Sequence, residues 1–235
     1  MSSFLYIFFF SYSTYFFYKT IFGSIENIYS YSSIFLLNLL GYNINNNFLE
    51  NLPSKMIIVG AHTSIYDFFI GLLYYYAYLH KNYTTYLFMK NDFEKICTPI
   101  LKLIDRKFKI IKVESKNNGL TQEIVNKLNN KDNYIIFIAP EGTRNCIENI
   151  RKGYWYISKG LNAQISFLGI DFYNKTIDLG KNRNPESLWE NEFKWFINEC
   201  KKIVPLYPER CFWTKDFYKT PELLEQSNNI STKQS

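Results

Sequence analysis

Histidine is nearly absent from this chain of 235 residues, which holds two, and arginine is scarce, with five against 22 lysines. The four cysteines, Cys97, Cys146, Cys200 and Cys211, stand far apart and none pairs at metal-ligand spacing. With so few histidines, a Cys/His zinc site is not expected, and scattered thiols fit a reducing compartment better than a disulfide framework. No uninterrupted apolar run reaches the ~20 residues of a standard spanning helix. No lysine or arginine precedes the apolar run at 4–10 and no small-residue cleavage site follows it, so a signal peptide is not expected. Ser2 occupies the position where myristoylation requires glycine, and no prenylation box ends the sequence.

What is present is a chain able to bury a core, with 47% hydrophobic and 20% charged residues. Its length suits one domain with an added segment. Aromatic residues are abundant, and 16 of them fall in the first 50 positions, where only Lys19, Glu26 and Glu50 are charged. We expect residues 1–50 to form two helices that lie in a bilayer face, because aromatic rings favour the membrane interface. A buried helical hairpin is the other reading. The domain proper is expected over 51–224, with a loose polar tail over 225–235. The net charge of +6 is concentrated in 81–131, which hold 11 Lys/Arg against 5 Asp/Glu. Such a stretch attracts anionic lipid or phosphate; no nucleic-acid motif accompanies it, and a nucleic-acid partner is not expected.

From residue 55 onward, short apolar runs alternate with amphipathic stretches. Strands are predicted over 56–59, 83–89, 108–113, 134–138 and 165–170. Helices are predicted over 67–79, 94–104, 120–128, 153–159 and 185–204. The alternation predicts an α/β fold, a mixed and largely parallel sheet flanked by helices, with the N-terminal membrane-associated helical segment added.

In such a sheet, chemistry collects just beyond the strand carboxyl ends. Two loops there stand out. The first runs Gly60-Ala-His-Thr-Ser-Ile-Tyr-Asp67. His62 is suited to act as a general base, and Asp67 to hold its imidazole in one tautomer. Ser64 and Asp67 are also spaced as a helix-capping pair, which would leave His62 an ordinary loop residue. The motif contains no nucleophilic partner, so direct attack by a substrate hydroxyl is expected. Backbone amides over 60–63 are candidate oxyanion donors. His80, at a predicted helix end, is expected to be solvated or capping.

The second loop is Ala139-Pro-Glu-Gly-Thr-Arg-Asn145. Gly142 permits unusual dihedrals, Thr143 offers a hydroxyl, and Arg144 a planar fork for phosphate or carboxylate. Glu141 is suited to hold a substrate hydroxyl or to orient Arg144. The bland alternative is a polar turn carrying a surface ion pair.

Taken together, the two loops resemble the glycerophospholipid acyltransferases, whose best-known members are the 1-acyl-sn-glycerol-3-phosphate acyltransferases. His62 and Asp67 match that family's His-x-x-x-x-Asp motif, and residues 140–144 match its Pro-Glu-Gly-Thr-Arg motif in full. The stretch 60–68 is similar to a branch reading Ala-Pro-His-Thr-Ser-Asn-Trp-Asp-Phe, and Arg151-Lys-Gly-Tyr154 to that branch's Lys-x-Gly-Phe. The likeness spans about 55–180. Three positions depart from the pattern. Ser115, after Glu114, stands where a phosphate-binding arginine is common, Ala61 replaces the usual Asn, and 163–166 lacks the later proline. Lys112 or Lys116 would compensate for Ser115; aligning Asp105-Arg106 there instead ranks second.

The resemblance implies an O-acyltransferase that moves a fatty acyl group from a thioester to a lysophospholipid hydroxyl. The thioester is acyl-CoA or acyl-carrier protein, and lysophosphatidic acid leads as acceptor. It implies His62 as base, Asp67 as its orienter, and Arg144 on the acceptor phosphate, with Glu141, Gly142 and Thr143 shaping that pocket. It implies no metal or prosthetic group, a membrane-lipid substrate, and a membrane-associated protein whose active site faces the cytoplasm. Glycerol-3-phosphate or an aminolipid as acceptor, or a catalytically silent lipid-binding protein of the same fold, are the alternatives.

Overall fold

β-branched and aromatic runs with few polar interruptions suit strands covered on both faces, and that is how they are used here. The computed structural model describes residues 25–45, 48–49, 52–90, 107–113, 119–146, 150–211 and 213. The helix expected over 94–104, the Asp105-Arg106 pair, Glu114, Ser115, Lys116, the first 24 residues and the polar tail lie outside them. In chain order the elements are α1 (Ile25–Leu39), β1 (Asn43–Asn45), β2 (Lys55–Val59), α2 (Ile65–Tyr78), β3 (Thr84–Lys90), β4 (Phe108–Val113), α3 (Leu120–Leu128), β5 (Tyr134–Ile138), α4 (Gly153–Leu161), β6 (Gln164–Asp171), β7 (Thr176–Leu179) and α5 (Trp189–Cys200). A 3-10 turn follows at Pro208–Arg210.

Seven strands form a sheet in the order β1-β7-β6-β2-β5-β3-β4. Every neighbouring pair is parallel except β6 and β7. Side chains alternate across the sheet and build two cores. On one face Met56 and Ile58 of β2 meet α1 and α2 through Leu37, Ile70, Tyr74 and Tyr75. On the other, Ile57 and Val59 meet α3, α4 and α5 through Ile124, Leu128, Tyr154, Ile157 and Phe196. The largely parallel sheet with helices on both faces is as the sequence predicts.

The differences have local causes. Helix α5 is shorter than the expected 185–204. Leu188 is extended (φ −103, ψ 140), and the Glu186 N–H donates to Glu192 Oε2 at 2.9 Å, holding the preceding residues as a loop. At its far end Val204 N–H reaches Asp171 Oδ2 at 3.1 Å, drawing the chain back to β6. Strand β7 was not expected. It arises because the Asp171 carboxylate accepts from Asn174 N and Nδ2 at 2.7 and 3.0 Å, closing a tight turn that folds 176–179 back along β6. Glu192 itself is fully buried and answers Arg183 Nη2 at 2.7 Å, while that guanidinium stacks 3.6 Å from the Trp195 ring centre.

His80 is also a correction: it is 3% exposed, with the rings of Tyr29, Tyr75 and Tyr76 around it. Tyr29 comes from α1, which packs on α2, so an end that looks solvated in sequence is roofed by an earlier helix. After α1, Gly41 (φ +79) turns the chain into β1, which pairs with β7. No helix among the described residues is long and apolar enough to cross a membrane. Helix α1 nevertheless exposes Tyr31, Phe35, Leu36 and Leu39, with Leu40 just beyond its end.

Candidate active site

Strands β2 and β5 are adjacent, parallel and paired Val59 to Ile138, an offset of 79 residues along their whole ladder. The two loops therefore leave the same end of the sheet side by side. His62 lies three residues past Val59 and Glu141 three past Ile138. The register delivers one to the other: the His62 backbone N–H donates to Glu141 Oε2 at 2.8 Å. Gly60 opens the first loop where a Cβ would stand 3.0 Å from the Leu168 carbonyl oxygen, too close to backbone for a side chain.

Asp67 both caps the helix and lies near His62. Ser64 caps α2, its hydroxyl accepting from Tyr66 N–H at 2.9 Å, and Asp67 completes the capping box. Asp67 Oδ2 accepts from the N–H groups of Thr63 and Ser64 at 2.6 and 2.7 Å. The same oxygen stands 3.5 Å from His62 Nδ1. That separation exceeds a formed N–H···O bond, and contacts of this kind tighten when substrate closes a site. With Nδ1 turned to the carboxylate, Nε2 is the nitrogen left for a substrate. The His62 and Thr63 amides are bonded to carboxylates, which removes two of the candidate oxyanion donors over 60–63.

Glu141 does not orient Arg144. It is 6% exposed and its carboxylate is bonded to the His62 amide. Burial pushes its acid constant up to about 8; the bond from His62 N–H opposes this, and the nearby Asp67 adds to it. Gly142 takes a positive φ of 63°, which turns the chain so that Gly142, Thr143 and Arg144 line a cavity with His62 and Asp67. The cavity encloses about 650 Å³. Much of the rest of the lining is apolar. Phe68, Leu72 and Leu87 line it on the α2 side of the sheet, and Phe88, Leu120 and Ile138 on the other. Among the described residues no three His, Cys, Asp or Glu side chains gather into a metal-holding group. Cys146, Cys200 and Cys211 are free thiols.

Two arginines outside the two loop motifs also reach the site. Arg151 also lines the cavity. Arg210, in the 3-10 turn, donates from Nη1 to the Thr63 carbonyl at 3.1 Å and stacks on Tyr207. The Thr63–Ser64 peptide is thus held at both ends, its carbonyl by Arg210 and its N–H by Asp67. The signal available in sequence is the rarity of arginine.

Residues 43–163, just over half of the chain, match the protein-family model described as Acyltransferase. No curated protein matches the chain.

Two outcomes follow from this geometry. Between pH 4.5 and about 8 the folded state keeps a proton on Glu141 that the unfolded state has lost. Unfolding then releases a proton, and stability falls as pH rises through that window. Glu141→Gln retains an oxygen acceptor for the His62 amide, so its melting temperature should gain on the wild type as pH rises from 4.5 to 8. Parallel curves from thermal denaturation would refute the assignment. Arg210→Ala should lower kcat about tenfold with little change in KM, by loosening the peptide that places Asp67. Arg210→Lys should recover part of it; steady-state kinetics decide.

Proposed function

The chain belongs to the acyltransferase family, that of the glycerophospholipid acyltransferases, and on that premise we propose a specific reaction for its acyltransferase domain. The protein transfers a fatty acyl group from acyl-CoA or acyl-carrier protein to the free hydroxyl of a lysophospholipid, with lysophosphatidic acid the leading acceptor. The observation that carries this reading is the cavity itself. It brings a His–Asp pair and arginines together with apolar walls from both sides of the sheet. Apolar walls on both faces suit chains on donor and acceptor alike. Glycerol-3-phosphate brings no chain of its own.

In this reading His62 Nε2 takes the proton from the acceptor hydroxyl as its oxygen attacks the thioester carbonyl carbon. The tetrahedral intermediate collapses with cleavage of the carbon–sulfur bond. The imidazolium returns the proton to the departing sulfur, so one ester and one thiol result. Asp67 holds the ring and stabilises the imidazolium between the two transfers. Arg144 holds the acceptor phosphate, and Thr143 and Gly142 shape the wall beside it. The thioester supplies the activation, so no metal or prosthetic group takes part. Holding hydroxyl and thioester together at His62 contributes much of the rate.

The membrane supplies the acceptor and receives the product. Phe35 and Leu39 on α1 are 65% and 70% exposed, and Tyr66 and Phe69, at the start of the helix that follows His62, are half exposed. An apolar surface of this kind suits a bilayer face better than water. The exposed lysines of β4 and α3, Lys109, Lys112 and Lys127, suit anionic headgroups or the phosphates of a CoA donor. The active site would then face the cytoplasm, where both thioesters are found.

The reaction is tested by release of free thiol from a long-chain acyl-CoA by membrane-bound protein, with lysolipids added singly. Acceptor-dependent release is expected, reduced at least a hundredfold in His62→Ala. Release that survives His62→Ala would remove the assigned base. No release with any lysolipid, from acyl-CoA and acyl-carrier protein alike, would sink the reading. The membrane contact is tested by Phe35→Asp with Leu39→Asp. The double variant should move from the membrane pellet to the supernatant on sedimentation, and full retention would refute it.

A further inference from the structure

The chain has five arginines, and four of them lie among the described residues. Two of these are committed to partners within the chain. Arg183 pairs with buried Glu192, and Arg210 donates to the Thr63 carbonyl. The other two, Arg144 and Arg151, make no side-chain hydrogen bond or ion pair with the described residues, and both line the cavity that holds His62.

The Arg151 N–H donates to the Pro140 carbonyl at 2.9 Å, bringing residue 151 back to the start of the loop that carries Arg144. Gly142 lies inside that closure with φ +63°. A Cβ there would stand 3.3 Å from Arg151 Nε and 3.4 Å from Cζ. The absence of a side chain at Gly142 thus makes room for the second guanidinium. Two like charges lining one cavity repel each other, and an anion that both can grip relieves this. A planar fork also binds phosphate oxygens bidentately, so two forks suit a group with three free oxygens.

We propose that Arg151 joins Arg144 to clamp the terminal phosphate of the acceptor, and that the pair selects phosphomonoester lysophospholipids over those whose phosphate carries a further headgroup. The inference rests on the lysophospholipid reading above and sharpens it. A phosphomonoester presents three oxygens and close to two charges near neutral pH, because its second acid constant lies near ~6. A phosphodiester presents two free oxygens and one charge. The clamp also answers a departure in the sequence: Ser115 stands where the family resemblance expects a phosphate-binding arginine, and Arg151 supplies the second fork from another loop.

The test compares wild type, Arg151→Ala and Arg151→Lys with three acceptors: lysophosphatidic acid, lysophosphatidylcholine and monoacylglycerol. Arg151→Ala should raise KM for lysophosphatidic acid about tenfold or more, the effect of losing a charge-assisted hydrogen bond. Its preference for lysophosphatidic acid over the other two should fall by the same factor, and Arg151→Lys should restore part of it. Equal losses on all three acceptors, or an unchanged preference, would overturn the clamp. A second readout does not need turnover: calorimetric binding of a 2-deoxy analogue of lysophosphatidic acid, which has no hydroxyl to acylate. Binding that weakens in Arg151→Ala, in a wild type that acylates nothing, would keep the clamp and reject the reaction. Acylation of lysophosphatidic acid with KM and analogue affinity untouched by Arg151→Ala would keep the reaction and reject the clamp.

Discussion

The parallel pairing of β2 with β5 is the constraint on which the site depends. Five paired residues, from Lys55 with Tyr134 to Val59 with Ile138, run at one constant offset. Parallel ladders need a crossover between their strands, so the loops that leave them at one end come from distant parts of the chain. Here those loops carry His62 and Glu141, and the ladder's register continues past the last strand residues into the bond from the His62 amide to Glu141. A slip of one residue would turn every β2 side chain to the opposite core and break that bond at the same time. Stability of the sheet and geometry of the site are one requirement.

Asp67 ties the site to the helix that follows. A carboxylate three residues into a helix is a common means of satisfying the loose N–H groups at its start. Here the oxygen that accepts from Thr63 and Ser64 also faces His62 Nδ1. The loop therefore cannot relax without disturbing the imidazole's neighbour. Arg210 extends the arrangement by holding the Thr63 carbonyl, so a residue far beyond the matched family region supports its central loop. Glu141 is held in the opposite sense. It is buried, bonded to an amide rather than to a cation, and its proton is correspondingly hard to remove.

The arginines sort by burial and partner. Arg183 neutralises Glu192 inside the fold and Arg210 braces a loop, while Arg144 and Arg151 line the cavity that holds His62 and make no side-chain ion pair with the described residues. In a chain that uses lysine four times as often, Arg183 and Arg210 stand where a planar, multiply donating group does something an ammonium does less well.

Much of this was legible in the sequence. The strands at 108–113 and 134–138 and the helix at 120–128 appear with the expected bounds, because period and residue type are local properties. The two loop motifs were legible for the same reason, each being a short run of distinctive residues just past a strand. What local pattern could not reveal depended on which parts of the chain come to lie together. His80 is buried because α1 roofs it, β7 exists because a side-chain turn folds it against β6, and Glu141 meets His62 because two strands pair in one register. Residue types, elements and motifs were determined by the sequence by itself. The partner of each polar group was decided only by the tertiary structure, since a hydrogen bond is set by positions in space and not by separation along the chain.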